Sequence, residues 1–125
     1  MRYFFLDTSF ILSLIEKGKD LVNLSQEYLN ELLIPATSIS VIKELENLSK
    51  NKSYERKVNL ARQIISKYKI FEDNSQNTDD SLLELCKKYN GILATADVEL
   101  LNKAMKKGIA VMFLKQGRKL VYFES

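Results

Sequence analysis

Hydrophobic positions along the chain switch repeatedly between an unbroken run and a helical period. Residues 1–6 form a short, largely apolar run closed by Asp7, which reads as a buried strand. Residues 8–16 place Phe10, Ile11, Leu12, Leu14 and Ile15 at helical spacing, and Gly18 closes that helix. Residues 20–31 carry Leu21, Leu24 and Tyr28, with Leu32 just beyond, on the same period. Residues 32–36 read as a short strand with Pro35 at its end. Thr37 and Ser38 offer an N-cap for a helix with apolar face Ile39, Ile42, Leu45 and Leu48.

A further helix opens at Ser53 and holds Val58, Ala61, Ile64, Ile65 and Tyr68. Residues 69–72 form a weak strand, and residues 74–77 a polar loop. Thr78 caps a helix over residues 79–89 that Gly91 ends. Residues 92–95 are a strand, and Asp97 caps a helix running to Lys107 before Gly108. Residues 110–114 are a continuously apolar strand, Gln116-Gly117 a turn, and residues 119–123 a final edge strand. Strands alternating with helices predict an α/β fold: a three-layer α/β/α sandwich with a mainly parallel central sheet. In such sheets the ligand crevice lies outside the carboxyl ends of the strands.

Composition narrows the chemistry. The 125 residues, 46% hydrophobic, make a single domain over residues 1–125 with a real core. No apolar run approaches the roughly 20 residues needed to span a bilayer, and Asp7 interrupts the only leader-like segment, so a cytoplasmic protein without membrane contact is expected. There is no histidine, and Cys86 is the single cysteine. Ser-His-Asp and Cys-His catalysis and any His or multi-Cys zinc site are therefore excluded. Cys86 sits among Leu82, Leu83 and Leu85 and reads as a small buried hydrophobe. Remaining chemistry must run through carboxylates, hydroxyls, lysines, tyrosines or a cofactor, and oxygen ligands suit Mg²⁺ or Mn²⁺.

The net charge of +3 is mild, but its distribution is uneven. Every charge in residues 103–119 is positive: Lys103, Lys106, Lys107, Lys115, Arg118 and Lys119. Residues 50–69 are also basic, Arg56 and Lys57 among them. The acids fall at telling places. Asp7 follows the first strand, Asp97 follows the strand of residues 92–95 by one position, Asp79 and Asp80 open a helix, and Glu44 precedes core-facing Leu45. Each also has a purely structural role open to it: Asp97 and Asp7 as caps, Asp79 and Asp80 as complements to a helix N-terminus, Glu44 as plain surface.

Taken together the acids resemble those of PIN-domain nucleases. Phe4-Phe5-Leu6-Asp7-Thr8-Ser9-Phe10 is similar to that family's opening strand ending in Asp. Val41-Ile42-Lys43-Glu44-Leu45 resembles its helical Glu before Leu. Thr78-Asp79-Asp80-Ser81 resembles its third acidic motif, with Asp80 in the usual slot, and Leu93-Ala94-Thr95-Ala96-Asp97-Val98-Glu99 its fourth. The tail over residues 111–123 looks most like archaeal members related to ribosomal RNA processing, less like the common VapC-type toxins. Ala96 departs from the Asn or Arg that the family often has there.

The resemblance implies a metal-dependent endoribonuclease with Asp7, Glu44, Asp80 and Asp97 as catalytic residues and ligands of Mg²⁺ or Mn²⁺. Thr8, Ser9, Thr95, Asp79 and Glu99 would support them. RNA is the implied substrate, held by the basic residues of 103–119 with Arg56 and Lys57; an antitoxin or ribosome-assembly partner and a homodimer are the implied protein contacts. Four carboxylates in one crevice repel by about 4 kcal/mol per pair at 4 Å and an effective dielectric of 20, and a divalent cation offsets this. Two such ions can activate water and stabilise the leaving oxygen of a phosphodiester. The alternative is a catalytically weak or inactive PIN-fold module that binds RNA or a partner protein. A phosphoacceptor receiver domain fits less well, lacking an acidic pair after the first strand, and a haloacid-dehalogenase-like phosphatase would need Asp where Ser9 stands.

Overall fold

Side-chain caps set where the elements begin. The computed structural model describes residues 1–73 and 77–124. In chain order the elements are β1 (Arg2–Leu6), α1 (Thr8–Lys17), α2 (Leu21–Leu29), β2 (Leu33–Ser38), α3 (Ile39–Leu48) and α4 (Lys52–Ile65). Then come β3 (Lys69–Phe71), α5 (Thr78–Tyr89), β4 (Ile92–Thr95), α6 (Val98–Lys106), β5 (Ala110–Lys115) and β6 (Lys119–Phe123). Asp7, Asp20, Ser38 and Asp97 each accept a backbone N–H of the helix that follows, filling an otherwise orphaned donor. Of the expected loop over residues 74–77, only Asn77 lies among the described residues.

Three boundaries differ from the sequence reading. Asn51 caps α4 where Ser53 was expected, and Asn77 caps α5 where Thr78 was expected. Asn90, left-handed at φ 51°, ends α5. Gly91 serves instead for close packing: a Cβ there would stand 2.7 Å from the Phe5 ring. Pro35 lies inside β2, not at its end. Up to Pro35 the strand pairs only with β1, because β3 begins opposite Ala36, so a residue without an N–H sits on what is locally an edge. On α3, Val41 and Leu45 are the buried positions, with Ile42 and Leu48 packed beside them.

The six strands form one sheet in the order β3-β2-β1-β4-β5-β6, parallel except for β6, which runs antiparallel to β5. The order reverses at β1 and β4. Right-handed crossovers then put α1 to α4 on one face and α5 and α6 on the other; α1, α3 and α4 accordingly pack on one another, and α6 on β4 and β5. The result is an α/β/α sandwich. β4 and the end of β1 are fully buried, as parallel central strands covered on both faces are. Cys86 lies in the core, and burial pushes its thiol far above the usual range. No helix among the described residues is long and apolar enough to cross a membrane.

Candidate active site at the carboxyl edge

The reversal of strand order brings the carboxyl ends of β1 and β4 side by side. Leu6 pairs with Ala94, and the Asp7 N–H donates to the Ala94 carbonyl at 3.0 Å. Asp7 and Thr95 are thus neighbours by register, at the position where open α/β sheets bind ligands.

Asp7 is 6% exposed, and both its oxygens are engaged. Oδ1 accepts from the Phe10 N–H and from Ser9 Oγ, each at 2.8 Å; Oδ2 accepts from Thr95 Oγ1 at 2.5 Å. Thr95 Oγ1 in turn accepts from the Asp97 N–H at 3.0 Å, and Ser9 Oγ from the Ala96 N–H at 3.0 Å. Two hydroxyls therefore clip the end of β1 to the turn leading into α6. Burial pushes the Asp7 carboxyl up to about 6, against the lowering effect of its three donors, and the charge of Asp79 adds to the rise.

The other acids belong to α3 (Glu44), to the first turn of α5 (Asp79 and Asp80) and to the N-cap of α6 (Asp97). Thr8 Oγ1 donates to Glu44 Oε1 at 2.5 Å, which fixes exposed Glu44 of α3 beside the start of α1. Asp97 uses Oδ1 to cap α6 through the Glu99 N–H at 2.9 Å. Asp79, half-buried in the first turn of α5, has its carboxyl raised by burial and by the charges of Asp97, Glu44 and Asp80, while Lys103 opposes them. Asp79 therefore shares its field with Asp7, Glu44 and Asp97. Asp80 is exposed, and its backbone N–H is spent on the Asn77 cap.

The signal that separates the two was present in the sequence. Asp79 shares a helical stripe with buried Leu82, Leu83 and Cys86, which carries it inward; Asp80 lies at the margin of that stripe with exposed Glu84 and Lys87. Glu99 is exposed in the first turn of α6.

The donors are oxygen throughout, carboxylates and hydroxyls, which suits a hard divalent cation. No ion pair reaches Asp7 among the described residues, so its buried charge lacks a protein counter-charge. Among those residues, no three acids are gathered as a ready-made cage. Mg²⁺ does not need one, since it binds through one or two carboxylates with waters and substrate phosphates.

The basic stretch does not form one face. Lys103 faces the acids electrostatically. Lys106 and Lys107 join Lys87 and Lys88 around a cleft between α5 and α6, and Arg118 and Lys119 lie beside α1 and α2. Lys57 is paired with Glu16 at 2.9 Å. An apolar cavity of about 700 Å³ between α1, α4 and Pro35 holds none of the four acids expected to be catalytic.

A family profile described as "PIN like domain" matches residues 5–117. Ribonuclease VapC9 of Archaeoglobus fulgidus is 32% identical over 117 residues, covering 91% of this chain and 84% of that protein. Ribonuclease VapC4 of Methanocaldococcus jannaschii is 38% identical over 92 residues, covering 69% and 68%. Among solved structures, the PIN domain endonuclease Utp24 superposes with a TM-score of 0.75 at 20% identity, over 98% of this chain and 93% of that one. VapBC2 of Rickettsia felis, solved bound to a promoter DNA fragment, gives 0.67 at 16% over 90% and 99%. At such identities these two likenesses concern the fold.

Proposed function

The chain belongs to the PIN-like domain family, and from that premise we propose that it is a metal-dependent endoribonuclease whose working carboxylates are Asp7, Asp79, Asp97 and Glu44. The relatives named as ribonucleases support RNA as the substrate. The observation that carries the reading is Asp7, a buried carboxyl without a protein counter-charge, at the switch point and in the field of Asp79. Asp80 was the expectation for the third acid; the half-buried position of Asp79 favours its neighbour, with Asp80 as added charge.

Asp7 and Asp97 would hold Mg²⁺ or Mn²⁺, and Asp79 and Glu44 would complete the coordination or orient the attacking water. A divalent ion in such a site supplies Lewis-acid stabilisation and a more acidic water. The residues of this chain do the positioning. Ser9 and Thr95 lock the Asp7 carboxyl in one orientation, and Thr8 holds Glu44 toward the crevice. Lys103 offers positive charge beside Asp79 for a substrate phosphate.

The relatives named as VapC ribonucleases support an antitoxin-type protein partner. A homodimer and a ribosome-assembly partner remain expectations of the family resemblance. The second reading, a PIN-fold module that binds RNA or protein without turnover, draws on the lack of a preassembled cage among the described residues. Incubation with single-stranded RNA separates the two. Internal cleavage in Mn²⁺ that EDTA abolishes supports the nuclease. Intact RNA under every divalent metal, with binding retained, supports the binding module.

A further inference from the structure

Resting on the ribonuclease reading, we infer that the groove between α1–α2 and the β5–β6 hairpin holds the single-stranded RNA flanking the cleaved bond. The groove measures about 510 Å³, and Lys17, Lys19, Arg118 and Lys119 line it together with Tyr28 and Leu24. Tyr28 is 56% exposed and Leu24 40%, although both belong to a helix. The ion pairs among the described residues join Arg2, Lys57 and Arg62 to glutamates; none involves the four groove cations. Glu27 is the one acid in the lining.

Position links this groove to the acids. β5 runs beside β4 with Phe113 opposite Thr95, and continues two residues further to Lys115. Its hairpin turn therefore follows the strand end that lies beside Thr95. Gln116 and Gly117 are both left-handed, at φ 53° and 67°, and the Arg118 N–H closes the turn on the Lys115 carbonyl at 3.0 Å. That geometry fixes where Arg118 and Lys119 stand. α1 starts at Asp7 and ends at Lys17, about 15 Å away at 1.5 Å per residue. There Lys17 meets the turn: a Cβ on Gly117 would lie 3.3 Å from Lys17 Cε.

Lys17 also complements the carboxyl end of α1. That role cannot account for Lys19, beyond the helix, or for Arg118 and Lys119, on the hairpin. Four free cations around an exposed aromatic ring are what a nucleic acid strand needs: phosphates pair with the cations, and a base stacks on the ring. In the α5–α6 cleft Lys87 is spent on the Lys107 carbonyl at 2.6 Å and Lys88 already lies over the Tyr89 ring, 5.4 Å from its centre, while Lys87, Lys88 and Lys106 sit in the last turns of their helices, where cations complement the helix dipole.

The test uses the full chain carrying Asp7→Asn, so that bound RNA is not cut, and a labelled 12-nucleotide RNA without self-complementarity. In this background K17Q/K19Q and R118Q/K119Q should each weaken binding and flatten its log–log salt dependence by about 1.4, at roughly 0.7 per phosphate contact. Tyr28→Ala should weaken it between about fivefold and a hundredfold. K87Q/K88Q/K106Q/K107Q in the α5–α6 cleft should cost less than either pair. All substituted groove residues are exposed, and circular dichroism of each variant checks that it is folded. Groove variants that bind like their parent, or a loss that follows the cleft lysines instead, overturn the groove. If the wild-type chain still cuts RNA in Mn²⁺, that failure leaves the nuclease reading standing; if the parent binds no RNA and the wild type cuts none, both fall.

Discussion

A carboxylate with three donors around it is normally more acidic than in water, yet Asp7 is held up at about 6 because burial outweighs the donors. The consequence for stability has a definite sign. In the unfolded chain Asp7 ionises near the ordinary Asp value of about 3.9, and in the fold near 6. Folding therefore favours the protonated form, and the Asp7 contribution declines as pH rises from about 4 to 6. Above that window the buried charge costs about 3 kcal/mol, the free-energy equivalent of that gap. Asp7→Asn removes the charge and keeps an acceptor for Ser9 and the Phe10 N–H. Denaturant titrations in EDTA should find the variant gaining on wild type between pH 4 and pH 7, by up to that amount. An equal offset at both pH values would contradict the assignment. Asp7 was legible in the sequence because an apolar strand carries it inward. The choice between Asp79 and Asp80 turns on helix phase, which the pair of adjacent acids does not carry by itself but the apolar stripe of Leu82, Leu83 and Cys86 does.

Elements were easier to read than their ends. The alternation of apolar runs with helical periods located the twelve elements of the described residues, since burial on a face leaves a periodic trace. Caps were harder, because several polar residues lie near each helix start and only backbone geometry selects one. Asn51 won over Ser53, and Asn77 over Thr78. Gly91 is the instructive case. It reads as a helix terminator, but Asn90 takes the left-handed position and Gly91 admits the Phe5 ring. The distances of 2.7 and 2.9 Å to that ring, and 3.0 Å to the Tyr3 carbonyl, leave no room for a methyl group. Gly91→Ala should lower stability by about 1–3 kcal/mol through overpacking. A thermal melt matching wild type would show that β1 and the α5–β4 turn give way more easily than this packing implies. Pro35 was misplaced for a related reason: a proline usually marks a strand end, and only the short reach of β3 makes an interior position tolerable.

At the scale of the molecule, one topological feature brings the chemistry together. β1 and β4 are far apart in sequence but adjacent at the reversal of strand order, so the segments that carry Asp7 and Asp97 leave the sheet side by side. Order and spacing of the acids could be read from the sequence; the Ser9–Thr95 clip that joins the strand ends could not, because it depends on register. The same topology divides the basic stretch among three places, which linear charge patterning presents as one. In the proposed mechanism Asp7 and Asp79, together with Glu44 and Asp97, cut RNA with a divalent metal. The rate of cleavage of one single-stranded RNA in Mn²⁺ by wild type, Asp7→Asn, Asp79→Asn and Asp80→Asn tests it most directly. Asp7→Asn and Asp79→Asn should each lose activity on the order of a hundredfold or more, as when a group in contact with developing charge is removed, and Asp80→Asn should cut at a rate near wild type. Wild-type cleavage by Asp7→Asn, or a loss confined to Asp80→Asn while Asp79→Asn stays active, would contradict this mechanism.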